Sequence, residues 1–205
     1  LMSNYSESDA EPFDQGFSEY LSSITTGIVT KAFTKTGSGL QLYNPNNRST
    51  SLSLNLNDFD LIVISSSTEG LTSTTLNTQL RDFKGSIFNM NYEMPSNLLL
   101  VTNGNEYLGL NEAYLSSGEK IVPYEFNNTN PIRTTNYVFG GDIKSGGVPL
   151  LWFDNATVGT NNNIMLFKYP AHIISGLTSS HGARAHFGIS YEGFYANTLN
   201  NGSIP

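Results

Sequence analysis

The run Leu61-Ile62-Val63-Ile64, preceded by Asp58-Phe59-Asp60 and followed by Ser65-Ser66-Ser67, restricts the fold of this chain more than any other stretch. Four consecutive branched aliphatic side chains with no polar alternation call for burial on both faces of a strand. Such runs are typical of parallel strands covered by helices on both sides. The neighbouring segments agree. Thr74 to Phe83 sets Leu76, Leu80 and Phe83 on one helical face, Gly85 ends that helix, and Ser86 to Met90 reads as the next strand. Ser96 to Thr102, with Leu98-Leu99-Leu100-Val101, is a third apolar segment, short enough to be a helix or a strand.

Upstream, Phe13, Phe17, Leu21 and Ile24 form an apolar helical stripe. Asp9, Glu11 and Asp14 stand near its start, where carboxylates complement the helix dipole; Pro12 suits the first turn and Gly27 the stop. Ile28 to Phe33 reads as a short strand. Downstream, strands are predicted over Tyr137 to Phe139, Leu150 to Phe153, Ile164 to Tyr169 and Ala183 to Ser190. Turn signals separate them at Gly140-Gly141-Asp142, Gly146-Gly147 and Asn161-Asn162-Asn163. Thr36 to Thr50, Asn103 to Lys120, Asn127 to Asn136 and Thr157 to Asn163 read as loops. The alternation in the first half predicts an α/β fold with a mainly parallel sheet flanked by helices, and the second half adds β structure at one edge. No repeat and no linker divides the 205 residues, so one domain is expected over 1–205.

Composition excludes several functions. Charged residues make up only 13% of the chain and the net charge is -7, so no basic cluster is available to hold a phosphate backbone. No apolar run approaches the roughly 18 residues needed to span a bilayer. There is no cysteine, which removes disulfides, thiolate metal sites and every cysteine nucleophile. Polarity comes instead from Asn, Ser and Thr, 67 residues together, beside 12 Phe and 11 Tyr. Many aromatics with little charge indicate a packed domain, and the uncharged polar surface suits an extracellular or virion-surface setting. Leu1-Met2-Ser3-Asn4 lacks the basic start and apolar run of a signal peptide.

Three stretches together resemble glutamine-amidotransferase-like domains of flavodoxin-like architecture, related to the trehalose-utilisation (ThuA-like) group and found in large secreted bacterial surface proteins. Asp58 to Ser67 is similar to their aspartate-led strand ending in serines. His181-Gly182-Ala183-Arg184-Ala185-His186-Phe187-Gly188 is similar to a late strand, and Phe194, Leu199 and Gly202 to the lead into a closing helix. The resemblance implies a flavodoxin-like sheet, with Leu1-Met2 only the end of the first strand and the final helix cut at Pro205. It also implies that the position of the family's nucleophilic cysteine falls at about Asn91, in Met90-Asn91-Tyr92-Glu93. Asparagine is no nucleophile, so the acyl-transfer chemistry of active relatives is absent.

Candidate sites follow from placement. Ser65, Ser66 and Ser67 stand at the C-terminal end of a parallel strand, where open sheets bind ligands. With Asn91, Tyr92 and Glu93 they define a small polar pocket, or else a loop whose hydroxyls cap the next helix. Glu93 is a candidate general base that lacks a nameable partner. Gly188-Ile189-Ser190-Tyr191-Glu192-Gly193 is one residue too long for a serine elbow. His172, His181 and His186 have no zinc spacing and read as structural or solvated; Arg184 and His186 share a strand face. Glu7, Asp9, Glu11 and Asp14 lack the spacing of a calcium loop. Tyr43, Tyr92, Tyr107, Tyr114, Tyr124, Trp152, Tyr191 and Tyr195 suit sugar stacking, a protein interface or packing over sheet edges. Glycosylation sequons begin at Asn47, Asn127, Asn155 and Asn201.

The combined expectation is a non-catalytic structural or interaction module of a larger extracellular, cell-surface or virion assembly, such as an adhesin, with no cofactor and no metal. Its partners would be other protein chains or the rest of a longer polypeptide, and possible glycans, without nucleic acid or membrane insertion. A carbohydrate-binding domain, or a hydrolase using Glu93 with a serine or a metal, is the rival.

Overall fold

A computed structural model describes residues 2–3, 19–24, 26, 32–35, 39–42, 55–65, 68, 74–91, 94–108, 113–118, 120–121, 137–174, 176–177 and 181–188. Three helices are found among them: α1, described over residues 19–24, α2 (Thr74–Asp82) and α3 (Met94–Asn97). Twelve strands form one sheet. They are β1 (Met2–Ser3), β2 (Ala32–Lys35), β3 (Gly39–Leu42), β4 (Leu61–Ile64), β5 (Ser86–Asn89), β6 (Val101–Leu108), β7 (Ala113–Tyr114), β8 (Lys120–Ile121), β9 (Tyr137–Ile143), β10 (Val148–Trp152), β11 (Ile164–Tyr169) and β12 (Arg184–Phe187).

The main path through the sheet is β3-β2-β1-β4-β5-β12-β11-β10-β7-β8, and β9 pairs with both β11 and β6. Parallel pairing joins β2, β1, β4, β5 and β12. The other seven of the eleven pairings are antiparallel. This overturns the expected flavodoxin-like, mainly parallel α/β fold: among the described residues the sheet is mixed and mainly antiparallel, with few helices. The cause lies largely in segments that read as loops. Asn103 to Lys120 contains most of β6, all of β7 and the start of β8. In β6, a polar stretch acquires strand geometry by pairing with β9 from Val101↔Ile143 to Leu108↔Tyr137. Local propensity does not announce such a strand; a distant partner supplies its hydrogen bonds.

Gly140 and Gly141 likewise lie inside β9 rather than at a turn. A Cβ on Gly140 would run into the Ile164 carbonyl and the Phe153 ring, and one on Gly141 into the Asn103 carbonyl. Glycine is needed because β9 is squeezed between β6 and β11. Ser96 to Thr102 also resolves: α3 ends at Asn97, Leu99 turns the chain with φ of 59°, and β6 starts at Val101. The helix predicted from Phe13 to Ile24 is helical over 19–24, and its earlier part lies outside the described residues. The same holds for Ile28 to Lys31 of the predicted second strand.

The core lies mainly on one face of the sheet. Ile62, Ile64, Ile87, Phe167 and Tyr169 project from the sheet toward Leu76, Leu80, Phe83, Met94, Leu98 and Leu100, and all are buried. On α2 the buried positions Leu76 and Leu80 are four apart, as one helical face requires. The opposite face differs. In register across the strands, Val148, Lys168, Ala185, Phe88 and Val63 form one row. Val63 is buried, Phe88 and Ala185 are half-buried, and Val148 is exposed. Leu61 is 48% exposed, so the run that demanded double-sided burial is covered on both faces only from Ile62 onward.

Tyr169 ties the antiparallel part to the core. Its hydroxyl donates to the Leu100 carbonyl at 2.6 Å and accepts from the Lys144 N–H at 2.7 Å. Burial pushes its pKa up to about 12, against a smaller lowering by the Lys144 hydrogen bond. Tyr169→Phe is expected to cost about 1–3 kcal/mol in urea denaturation at neutral pH, because two buried backbone groups lose their partner. The tyrosine's contribution is complete below pH 10 and lost as pH rises through about 12. The gap between wild type and variant should therefore narrow over that interval.

Candidate functional site

Strands β4, β5 and β12 run parallel and side by side, with Ile64 beside Asn89 and Asn89 beside His186. Their C-terminal ends therefore converge, and the turns that follow β4 and β5 meet there. Ser65 and Asn91, two of the predicted pocket residues, are fully buried at this edge. Ser66, Ser67, Tyr92 and Glu93 lie outside the described residues.

Asn89 organises the edge. Its Oδ1 accepts from the Asn91 N–H at 3.2 Å and its Nδ2 donates to the Asn91 carbonyl at 2.9 Å. Those two bonds fix which way the amide points. The second Nδ2 hydrogen is then directed at His186 Nδ1, 2.8 Å away, a nitrogen that also lies 3.2 Å from the Asn89 backbone carbonyl. The His186 ring is fully buried and tilted against Phe167, with centroids 5.2 Å apart. Asn91 continues the network: its Nδ2 donates to the Thr68 carbonyl at 2.7 Å, and the Thr68 N–H donates to the Ser65 carbonyl at 3.2 Å. The turn after β4 is thereby joined to the turn after β5.

The other end of β12 carries a buried cation. Arg184 Nη1 donates to the carbonyls of Gly85 at 2.7 Å, Gly182 at 3.0 Å and Ala183 at 3.1 Å, and Nη2 to that of Phe83 at 2.6 Å. Its Nε has no partner among the described residues. Burial lowers the guanidinium pKa to about 10, which leaves it charged at neutral pH. Arg184 and His186 do share the core face, as the strand period predicts.

Other predicted positions are scattered. His181 is buried and bonded to backbone groups, while His172 is exposed. Trp152 lies in β10, 1% exposed, and its Nε1 donates to the Thr160 carbonyl, so it is no loop aromatic for stacking on a sugar. Tyr114 is half-buried in β7, and Asn155 sits in an exposed 3-10 turn capped by Asp154. Tyr43, Tyr124, Tyr191, Tyr195, the acidic residues Glu7 to Asp14 and the sequons at Asn47, Asn127 and Asn201 lie outside the described residues; so do Ile189 to Gly193. Among the described residues no three His, Asp or Glu side chains gather as a metal site, and no helix is long and apolar enough to cross a membrane.

Asn89 and Thr68 were not singled out from the sequence. Asn89 carried a signal: in Ser-Ile-Phe-Asn-Met it shares the inward face with Ile87, and a polar residue there needs buried partners. Thr68 contributes only its backbone, for which no side-chain signal exists. No family model, curated protein or solved structure matches the chain. The similarity to glutamine-amidotransferase-like domains accordingly rests on the short sequence stretches alone.

The network sets two expectations for urea denaturation followed by circular dichroism. Asn89→Ala removes the side-chain bonds to the Asn91 N–H and carbonyl and to His186 Nδ1 and should cost about 2–4 kcal/mol. Arg184→Lys replaces a fork reaching four carbonyls by a single ammonium and should cost about 2–4 kcal/mol, with a wild-type spectrum retained at low urea.

Proposed function

We propose that this chain is a non-catalytic structural or interaction module of a larger extracellular or virion-surface assembly. One observation carries the reading. At Asn91, where the resemblance puts a nucleophile, the side chain is fully buried and its amide is committed to the Thr68 carbonyl. A nucleophile works from an exposed turn with a base in reach. Here the described polar groups of the strand ends bond to one another and to the backbone.

The outer face of the sheet supports the interaction half of the proposal. Leu61, Phe88, Lys168, Pro170, Ala183 and Ala185 line an open apolar groove of about 450 Å³. Val148 and Leu150, also exposed, stand on β10. Contiguous apolar surface with little charge is the kind that another polypeptide covers. The amide- and hydroxyl-rich composition supports an extracellular setting, and the low basic content argues against nucleic acid.

An introduced thiol tests the sealed turn, since the chain has no cysteine to interfere. Asn91→Cys is expected to react with iodoacetamide at least about 100-fold more slowly when folded than in denaturant, as a buried thiol does. The wild-type chain is expected to show no turnover of model amides, esters or glycosides. Full-rate alkylation of the folded variant, or turnover abolished by Glu93→Gln, would refute the proposal.

A further inference from the structure

Asn103 and Gly104 lie side by side on β6, and both are exposed. They form one of two Asn-Gly dipeptides in the chain; the other, Asn201-Gly202, lies outside the described residues. Asparagine before glycine is the pair most open to ring closure, because glycine has no Cβ to shield the backbone nitrogen that attacks the side-chain amide. Across the ladder Asn103 is in register with Asp142, and its Nδ2 donates to Asp142 Oδ2 at 3.0 Å. Thr102, skipped by the register shift between Val101 and Asn103, donates its hydroxyl to the Asp142 carbonyl at 3.0 Å. Asp142 is half-buried, and among the described residues its carboxylate has no other partner.

While β6 is paired, its extended backbone turns the Gly104 nitrogen away from the Asn103 side-chain carbon, and the bond to Asp142 fixes the amide. Attack therefore requires the strand to open. Among the described residues β6 has β9 as its one strand partner, so its ladder lies on a single side. A strand held on one side and exposed at Thr102, Asn103 and Gly104 opens at lower cost than the buried strands β4 and β5.

We propose that Asn103 is a self-modification site: deamidation in the opened strand keeps β6 from pairing with β9 again. Hydroxide takes the Gly104 N–H proton, the nitrogen bonds to Asn103 Cγ, and the Cγ–Nδ2 bond breaks with release of ammonia. Water then opens the cyclic imide at either carbonyl carbon and gives aspartate or isoaspartate, one water consumed for each ammonia released. Either product exchanges the amide that donated to Asp142 for a carboxylate, and like charges directly opposite one another destabilise a ladder. Isoaspartate also routes the main chain through Cβ, and the added atom displaces the register of the residues that follow. Opening is reversible, whereas the chemistry that follows it is not.

Peptide mapping by mass spectrometry of the wild-type chain, aged in the folded state at physiological pH and temperature, tests the site. Isoaspartyl methyltransferase labelling marks the β-linked product. Asn103 is expected to convert ahead of every other described asparagine, with Asn201 mapped separately. Gly104→Ala should slow the conversion at least about fivefold. In Asn103→Asp, hydrogen-exchange protection across β6 should fall about three- to tenfold while that of the Ile87 amide in β5 holds. Adding Asp142→Asn to that variant returns an amide donor to the pair and should restore the protection. An Asn103 that stays intact while the same chain in urea converts, unchanged β6 protection in Asn103→Asp, or no recovery on adding Asp142→Asn would each overturn the proposal. If Asn103→Asp does not fold, mapping and exchange on the aged wild-type chain still decide.

Discussion

The Arg184 guanidinium is the joint on which the two parts of the sheet depend. β12 is the strand where parallel pairing with β5 gives way to antiparallel pairing with β11. At its first residue a buried cation holds the carbonyls of Phe83 and Gly85 before β5 and those of Gly182 and Ala183 before β12. Withdrawing a charge from water costs several kcal/mol, and the aligned carbonyl dipoles offset that cost only if the turn and the strand approach closely. Glycine permits the approach: a Cβ on Gly182 would collide with the Gly85 carbonyl. A cation, two tight backbone segments and a glycine thus define one geometry, and the register of β12 against β5 follows.

From that joint the inward face of β12 determines what the C-terminal edge can be. Arg184 and His186 both point into the core, and His186 has to find its partner on the neighbouring strand. Asn89 supplies it and, through Asn91 and Thr68, closes the turns above. Buried polar networks of this kind specify a unique arrangement because each unmade bond is expensive. Among the described residues of this edge, Ser65, Thr68, Asn89 and Asn91 join the turn after β4 to the turn after β5. The face beyond carries the open apolar groove and the exposed Leu61 and Val148.

Much of this was legible locally. The strand Leu61–Ile64, the helix Thr74–Asp82, the strand Ser86–Asn89 and the strand Ile164–Tyr169 lie where periodicity and punctuation place them, because each carries a strong pattern of its own. The shared face of Arg184 and His186 was legible for the same reason. β6 was not: its Asn and Gly residues read as a loop, and only β9, nearly thirty residues away, completes its hydrogen bonds. Gly140-Gly141 was misread as a turn, since a glycine needed for close approach and a glycine needed for a bend look alike in one dimension. Trp152 stands in a strand that the sequence places, but its complete burial depends on β11 and β7 flanking β10.

The sequence by itself determined the absence of thiol chemistry, the low content of basic residues and the segments with a strong short-range period. Those properties belong to residue types and to spacings of a few residues. Strand direction, the partner of each polar side chain and the sealing of Asn91 were decided by the tertiary structure. They depend on hydrogen bonds between groups up to about a hundred residues apart, such as Asn89 with His186 and Phe83 with Arg184. Spacing along a chain carries no record of which distant group will complete a bond.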